Sequence, residues 1–300
     1  MKYRYCTCDV FTEKRFGGNQ LAVLPEALGL SDIQMQQIAR EFNFSETAFV
    51  LPPEKGQTRK VRIFTPTTEV PFAGHPNIGT AFVLAEIGEL GKDKLPGAIC
   101  FEEKAGLVPI EIQIDINGPT VFELKAPQIL TLDVFTSIAL LAGALSLNEN
   151  DFVSTTHPPS VASVGLPFLF AEVRDTSVLA RVRINTEAFE LLAKSAVPYI
   201  HVYTWKPGSS KIQARMFAPL DGVSEDPATG SANCALAALL AHHNPDSSGE
   251  FSWRVFQGKE MGRSSLLKVR ARKENGCVIA SWVAGSCVMV CEGHIDVDSD

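Results

Sequence analysis

The chain has 300 residues, a formal net charge of −7 and the apolar content of an ordinary globular protein. It carries no basic run, so nucleic acid and anionic membrane are not expected as partners. No apolar run reaches the ~18 residues of a membrane span. At about 100–200 residues per domain, the length favours two domains.

Met1–Cys6 enters a strand-like pattern at once, so no signal peptide and a cytoplasmic location are expected. The seven cysteines are odd in number, scattered and without CxxC, which fits reduced structural thiols. No histidine spacing supports a zinc site, and His242-His243 reads as a solvated helix end. No metal is expected.

Tyr3–Phe11 alternates as a strand, and Arg15-Phe16-Gly17-Gly18-Asn19-Gln20 is a glycine turn before the strand Leu21–Leu24. This turn lacks the GxGxxG and GKS/GKT patterns of nucleotide loops. Asn19 is either a ligand-binding side chain or only a turn residue. Ser31 reads as an N-cap, with Ile33, Met35, Ile38, Ala39 and Phe42 as the apolar stripe of a helix.

Phe44–Leu51 follows as a strand whose Glu46 shares a face with Phe44, Ala48 and Val50. A carboxylate in apolar surroundings is costly, so Glu46 must be hydrogen-bonded or titrate high, as general acid–base catalysis requires. The alternative is a solvated Glu on an edge strand. Pro52–Lys60 is a polar loop, and Val61–Phe64 is a strand leading through Thr65–Phe72 to His75. A histidine in a first helical turn feels the positive helix end, which favours the neutral imidazole. It can then exchange hydrogen bonds with a substrate, or be merely structural.

Strand-like runs at Val108–Ile116 and Thr120–Leu124 are broken at Asn117-Gly118-Pro119, and Ala126–Gln128 makes a lobe boundary. Helices are expected near Thr136–Leu145 and Thr186–Lys194. Strands are expected at Phe168–Val173, Ile200–Thr204, Ile212–Phe217, Phe251–Phe256, Leu266–Ala271, Cys277–Val283 and Ser286–Cys291. Many strands around few buried helices indicate α+β rather than alternating βαβ.

Between these strands lies Ser224-Glu225-Asp226-Pro227-Ala228-Thr229-Gly230-Ser231, running into an almost wholly apolar helix. Asp226 before Pro227 is biased away from helical dihedrals, so the helix begins after it. Gly230 permits close backbone approach, Ser231 is a candidate cap, and the open first-turn amides suit a carboxylate.

The same design occurs half a chain earlier. Arg62-Ile63-Phe64-Thr65-Pro66 matches Arg215-Met216-Phe217-Ala218-Pro219, and Ala73–Ala81 matches Thr229–Ala237, each block leading into an apolar helix. The pattern reads as an internal duplication, giving two similar lobes (1–127 and 128–300, with the last strand, about 286–297, packing back on the first). Each aims one helix N-terminus at a shared cleft.

The quoted segments together resemble the phenazine-biosynthesis (PhzF-like) family. They are Phe44-Ser45-Glu46-Thr47, Ala73-Gly74-His75-Pro76, Glu225–Ala232, Gln257-Gly258…Met261-Gly262-Arg263, Asp9-Val10-Phe11…Gly18-Asn19 and Gly165–Phe168. The resemblance runs nearly end to end. It implies a diaminopimelate epimerase-like fold, α+β, with two pseudo-symmetric lobes, each a barrel-like sheet around a central buried helix.

Racemases of this fold place a cysteine at each central helix N-terminus. The matching positions here are Ala73 and Thr229, which cannot shuttle a proton, and Cys234 lies too far into its helix to substitute. The resemblance implies instead a cofactor-independent isomerase that moves a proton within a small carboxylate-bearing, dihydro-hydroxyanthranilate-like substrate. Glu46, His75 and Asp226 would be catalytic, with Asn19, Gly74, Thr229, Gly230 and Ser231 binding the substrate. The alternatives are an amino-acid epimerase with Glu46 and Asp226 as opposed acid and base, and a non-catalytic binding protein. The reading leaves room for a homodimer, which the sequence does not test.

Overall fold

The computed structural model describes residues 1–91, 95–114 and 118–298. The chain forms two compact units, Met1–Leu124 with Ala284–Asp300, and Lys125–Val283. In chain order the first elements are β1 (Lys2–Val10), β2 (Asn19–Leu24), α1 (Asp32–Phe42), β3 (Glu46–Leu51), β4 (Arg59–Phe64), β5 (Glu69–Val70), α2 (Gly74–Glu86), β6 (Ala98–Glu103), β7 (Gly106–Gln113) and β8 (Val121–Lys125). Next come β9 (Thr131–Val134), α3 (Ile138–Leu145), β10 (Phe152–Val153), β11 (Ser160–Ser163), β12 (Pro167–Val173), α4 (Thr176–Arg181), α5 (Thr186–Ser195), β13 (Ile200–Trp205), β14 (Lys211–Ala218) and β15 (Val223–Asp226). The chain ends with α6 (Gly230–His243), β16 (Gly249–Gln257), β17 (Ser265–Glu274), β18 (Cys277–Gly285) and β19 (Cys287–Asp296). No helix among the described residues is long and apolar enough to cross a membrane.

The α+β class read from the sequence is the observed one, and most strands fall within a few residues of their expected bounds. The short elements α4, β5, β9, β10, β11 and β15 carry too few residues for a periodic signal, so the sequence does not announce them. The strand expected through Ile116 is seen as β7, ending at Gln113; Asp115 and Ile116, and Asn117 of the expected break, lie outside the described residues.

In the first unit β1 pairs antiparallel with both β2 and β19, from Lys2↔Asp296 to Val10↔Cys287 on the latter side. The end of the chain thus completes the sheet that its beginning opens. The sheet continues as β2 parallel to β3, β3 antiparallel to β4, β4 parallel to β6, and β6 antiparallel to β7. It curves around α2, whose residues from Gly74 to Leu84 are all buried and which packs on β1, β2, β3, β7 and β19. Such a helix has no polar face and is stable only when enclosed. On the outer side, Met35, Ile38 and Ala39 of α1 pack with Leu24, Phe49 and Phe64. Side chains alternate along a strand, so Phe49 faces α1 while Glu46, Ala48 and Val50 share the opposite face.

The second unit repeats this pairing: β12 parallel to β13, β13 antiparallel to β14, β14 parallel to β16, β16 antiparallel to β17. Its central helix is α6, buried at Gly230 and from Ala232 to Ala241. Residues of α3 and α5 pack with β12 and β13 in a separate apolar cluster.

The repeat extends to individual contacts. Arg62 holds Glu69 through Nε–Oε1 at 2.8 Å and Nη2–Oε2 at 2.9 Å, and Arg215 holds Glu225 the same way at 2.8 and 2.7 Å. Each guanidinium lies over the phenylalanine two residues on, 5.1 Å from Phe64 and 5.0 Å from Phe217. Asn77 Nδ2 donates to Ala73 O at 2.9 Å, and Asn233 Nδ2 to Thr229 O at 2.9 Å. The two-block match in the sequence therefore marks a real duplication of structure.

The second clamp is the more enclosed, because Arg215 also donates to the carbonyls of Leu179 (2.9 Å) and Val182 (3.2 Å). Removing one member of a buried pair leaves the other charge uncompensated, at about 3–5 kcal/mol. Arg215→Ala is expected to lower the unfolding free energy by that amount, and Arg62→Ala by less. Urea unfolding of both variants checks this; a loss under about 1 kcal/mol for Arg215→Ala contradicts the role given to the clamp.

Candidate active site

The expected site residues fall into two groups, one in each unit. In the first unit, Glu46 opens β3 and pairs in register with Leu21 of the neighbouring parallel strand. Asn19, the first residue of β2, is held there by a tight loop. Asp9 Oδ2 accepts from the Phe16 amide at 2.6 Å, and Gly18 has φ +62° with no room for a Cβ, which would collide with the Val10 carbonyl oxygen. Only glycine fits that turn.

Asn19 is buried, and its side chain reaches Ser45 and His75. Its Oδ1 accepts from Ser45 Oγ at 3.2 Å, which orients the amide so that Nδ2 faces His75 Nδ1 at 3.5 Å. An amide N–H pointing at Nδ1 assigns the ring proton to Nε2. That nitrogen stands 3.6 Å from Glu46 Oε2, within charge–charge range and longer than a hydrogen bond.

The Glu46 side chain is 19% exposed, and Oε2 has no hydrogen-bond partner among the described residues. Burial pushes its pKa up to about 7, opposed by the Ser45 hydroxyl beside it. Desolvation thus dominates, as the apolar strand face requires. Glu46, His75 and Asn19 come together, and Gly74 adjoins them as the first residue of α2. The N-cap of that helix is Ala73, which offers no side-chain cap. Its first amides carry the partial positive charge of an uncapped helix end.

In the second unit, Asp226 ends β15, and its Oδ2 accepts from Thr229 Oγ1. Gln257 fixes this pair: Nε2 donates to Asp226 O at 2.8 Å and to Thr229 Oγ1 at 3.0 Å, while Oε1 accepts from Asn233 Nδ2 at 2.8 Å. Gly258, at φ +75°, lies so close to Pro227 that a Cβ would sit 2.7 Å from its carbonyl oxygen; Ser265 Oγ donates to the same oxygen at 2.8 Å. The Gln257–Arg263 segment is therefore the support of the Asp226 loop.

Ser231 does not cap α6, contrary to expectation. The helix starts one residue earlier, at Gly230, so Ser231 lies inside the first turn, and Thr229 stands at the N-cap with its hydroxyl turned to Asp226. Gly230 and Ser231 contribute uncapped amides, and Ser231 also its half-buried hydroxyl.

Sequence reasoning misses Ser45 and Gln257 as working parts. Ser45 precedes Glu46 with no pattern of its own. Gln257 belongs to the Gln257–Arg263 motif, but its partners Asp226, Thr229 and Asn233 lie 24 to 31 residues away along the chain.

The duplication also shows what each unit lacks. Phe49 pairs with Arg62 and Val202 with Arg215, so the counterpart of Glu46 is Tyr199. The Tyr199 hydroxyl donates to Asp221 at 2.6 Å; burial, with this contact, pushes its pKa up to about 12. Ala73 corresponds to Thr229 and His75 to Ser231. A carboxyl at this position is thus present in one copy only.

A family model described as phenazine biosynthesis-like protein matches residues 8–293. An uncharacterized isomerase of Mesorhizobium japonicum is 35% identical over 303 residues, 97% of this chain and 98% of that protein. The trans-2,3-dihydro-3-hydroxyanthranilate isomerase of Pseudomonas aeruginosa is 33% identical over 292 residues, 97% of this chain and 99% of that one. The crystal structure of a PhzF-family phenazine biosynthesis protein from Bacillus anthracis superposes with a TM-score of 0.89 at 28% identity, over 99% of this chain and 100% of that one.

A carboxyl whose pKa is raised in the folded state stabilises fully only below its unfolded pKa, and that stability is lost as pH rises to the folded value. For Glu46 the window runs from about 4.5 to about 7, worth on the order of 3 kcal/mol at full size. Wild type is expected to lose stability across this window relative to Glu46→Gln. Parallel pH dependences of the two urea midpoints would contradict the burial of the carboxyl.

Proposed function

Because the chain belongs to the phenazine biosynthesis-like protein family and is an isomerase, we propose that it moves a proton within a small, conjugated carboxylic acid by acid–base catalysis at Glu46, without a cofactor. The observation that carries this reading is the Glu46 carboxyl, pushed by burial to a pKa of about 7 and standing 3.6 Å from the His75 imidazole. The named activity of the Pseudomonas aeruginosa relative suggests the substrate class, a dihydro-hydroxyanthranilate-like ring acid.

As carboxylate, Glu46 takes a C–H proton made acidic by conjugation; as the acid thus formed, it returns the proton to another carbon of the same system. The double bond shifts, and no atom is gained or lost. A pKa near ambient pH suits both halves, since the group is neither too weak a base nor too weak an acid. Enclosure limits exchange of the abstracted proton with water.

His75, with Nε2 3.6 Å from Glu46 Oε2, orients the carboxylate. Asn19 fixes the tautomer of the ring, and Ser45 fixes Asn19. The uncapped amides at Gly74–His75 and at Gly230–Ser231 are candidates for the substrate carboxylate, since a helix N-terminus favours an anion. Asp226, held by Thr229 and Gln257, is suited to a substrate amine or hydroxyl. Ala73 at one N-cap and Thr229 at the other disfavour a two-cysteine racemase.

Proton NMR of trans-2,3-dihydro-3-hydroxyanthranilate and related ring acids in D₂O tests the proposal. Wild type is expected to convert one of them. Glu46→Gln should lower kcat by ~10²–10⁴-fold with KM nearly unchanged. The wild-type rate should rise with pH through about 7, where Glu46 becomes the base. Turnover by Glu46→Gln at the wild-type rate contradicts the mechanism, whatever the substrate.

A further inference from the structure

The first unit holds a second enclosed carboxyl that the mechanism does not use. Glu103 ends β6, and both of its carboxyl oxygens are sealed from solvent, with the Asn77 side chain beside them but no well-formed hydrogen bond among the described residues. The side chain bearing on it is that of Asn77, in the first turn of α2 two residues beyond His75.

The strand registers show what Glu103 replaces. Lys60 pairs with Glu102 in the first unit, and Gln213 with Phe256 in the second. Lys60 lies two residues before Arg62 and Gln213 two before Arg215, so the next positions, Glu103 and Gln257, correspond. Gln257 works as one acceptor and one donor: Oε1 accepts from Asn233, the counterpart of Asn77, and Nε2 donates to Thr229 Oγ1 and Asp226 O.

An ionised carboxylate can only accept hydrogen bonds, whereas a neutral carboxylic acid has one acceptor and one donor, as a carboxamide does. Sealing a carboxylate away from water without a cation is also strongly unfavourable. We infer that Glu103 is kept as the neutral acid, stands in for the glutamine of the other copy, and through Asn77 positions the first turn of α2 that carries His75. Glu103 is a positioning residue, with no proton transfer to substrate assigned to it.

Charge around Glu103 agrees with this. Lys104, next in the chain, reaches toward Glu69 at 3.9 Å, and Glu69 is itself held by Arg62; His75 of α2 faces Glu46 of β3. Burial pushes the Glu103 pKa up to about 8, with Asn77 opposing. The acid form therefore persists through neutral pH, and ionisation near pH 8 would disturb the turn.

This inference rests on the reading that the His75 end of α2 is the working end of the site, but its test does not need turnover. The Glu46→Gln variant removes the titrating carboxyl that faces His75. In that background, imidazole ¹⁵N resonances of His75 are followed from pH 6 to 9.5 with and without Glu103→Gln. With Glu103 present, the resonances are expected to shift with a midpoint near 8. With Gln at that position no step near 8 should remain. An unshifted His75 in the presence of Glu103, or the same shift in its absence, overturns the inference.

A kinetic arm uses the single variant. Glu103→Gln is expected to keep kcat within about threefold of wild type at pH 7 while losing any alkaline fall near pH 8; a large loss at pH 7 overturns the positioning role. If no substrate is turned over by wild type, the proposed reaction fails while the NMR outcome still decides the role of Glu103.

Discussion

The constraint on which the site depends is the burial of the Glu46 carboxyl, whose Oε2 has no hydrogen-bond partner among the described residues. Glu46 obtains this from its place in β3: alternation puts it on the same face as Ala48 and Val50, opposite the face that Phe49 turns to α1. The parallel pairing of β2 with β3 brings Asn19 close, and α2 supplies His75 from its first turn. The His75 imidazole lies 3.6 Å from Glu46 Oε2. A lysine or arginine there would lower the pKa of that carboxyl and hold it as a carboxylate through neutral pH.

The duplication separates scaffold from chemistry. Both copies keep the arginine–glutamate clamp, the guanidinium over phenylalanine and the asparagine that holds the N-cap carbonyl. These contacts fix where a helix starts, and each serves equally well in either copy. The differences lie around the helix starts: Glu46 against Tyr199, Ala73 against Thr229, His75 against Ser231, Val70 against Asp226, Glu103 against Gln257. The first copy holds the enclosed carboxyl and the imidazole. The second holds Asp226, whose carboxyl accepts from the Thr229 hydroxyl and whose backbone carbonyl accepts from the Gln257 carboxamide.

Much of this is legible in the sequence. The duplicated blocks, the buried helices behind them and the out-of-place Glu46 stand out because apolar periodicity is locally encoded. The start of α6 is harder to place, since Ser231 next to glycine has the composition of a cap. In the fold, Thr229 takes the cap position but turns its hydroxyl to Asp226, a competition between partners that no local pattern reveals. Ser45, Gln257 and Glu103 escape for a related reason. Their significance lies in contacts across strands, which appear only once β2 is paired with β3, β4 with β6 and β14 with β16. The short strands β9 to β11 and the helix α4 have too few residues to show a period at all.

The most direct test of the account is the titration of Glu46 itself, by side-chain carboxyl ¹³C NMR with Glu46→Gln to assign the signal. The account predicts a midpoint near 7, set by burial. A midpoint at the ordinary glutamate value of ~4.3 would mean that water reaches the carboxyl freely, and would contradict its role as the group that both takes and returns the proton.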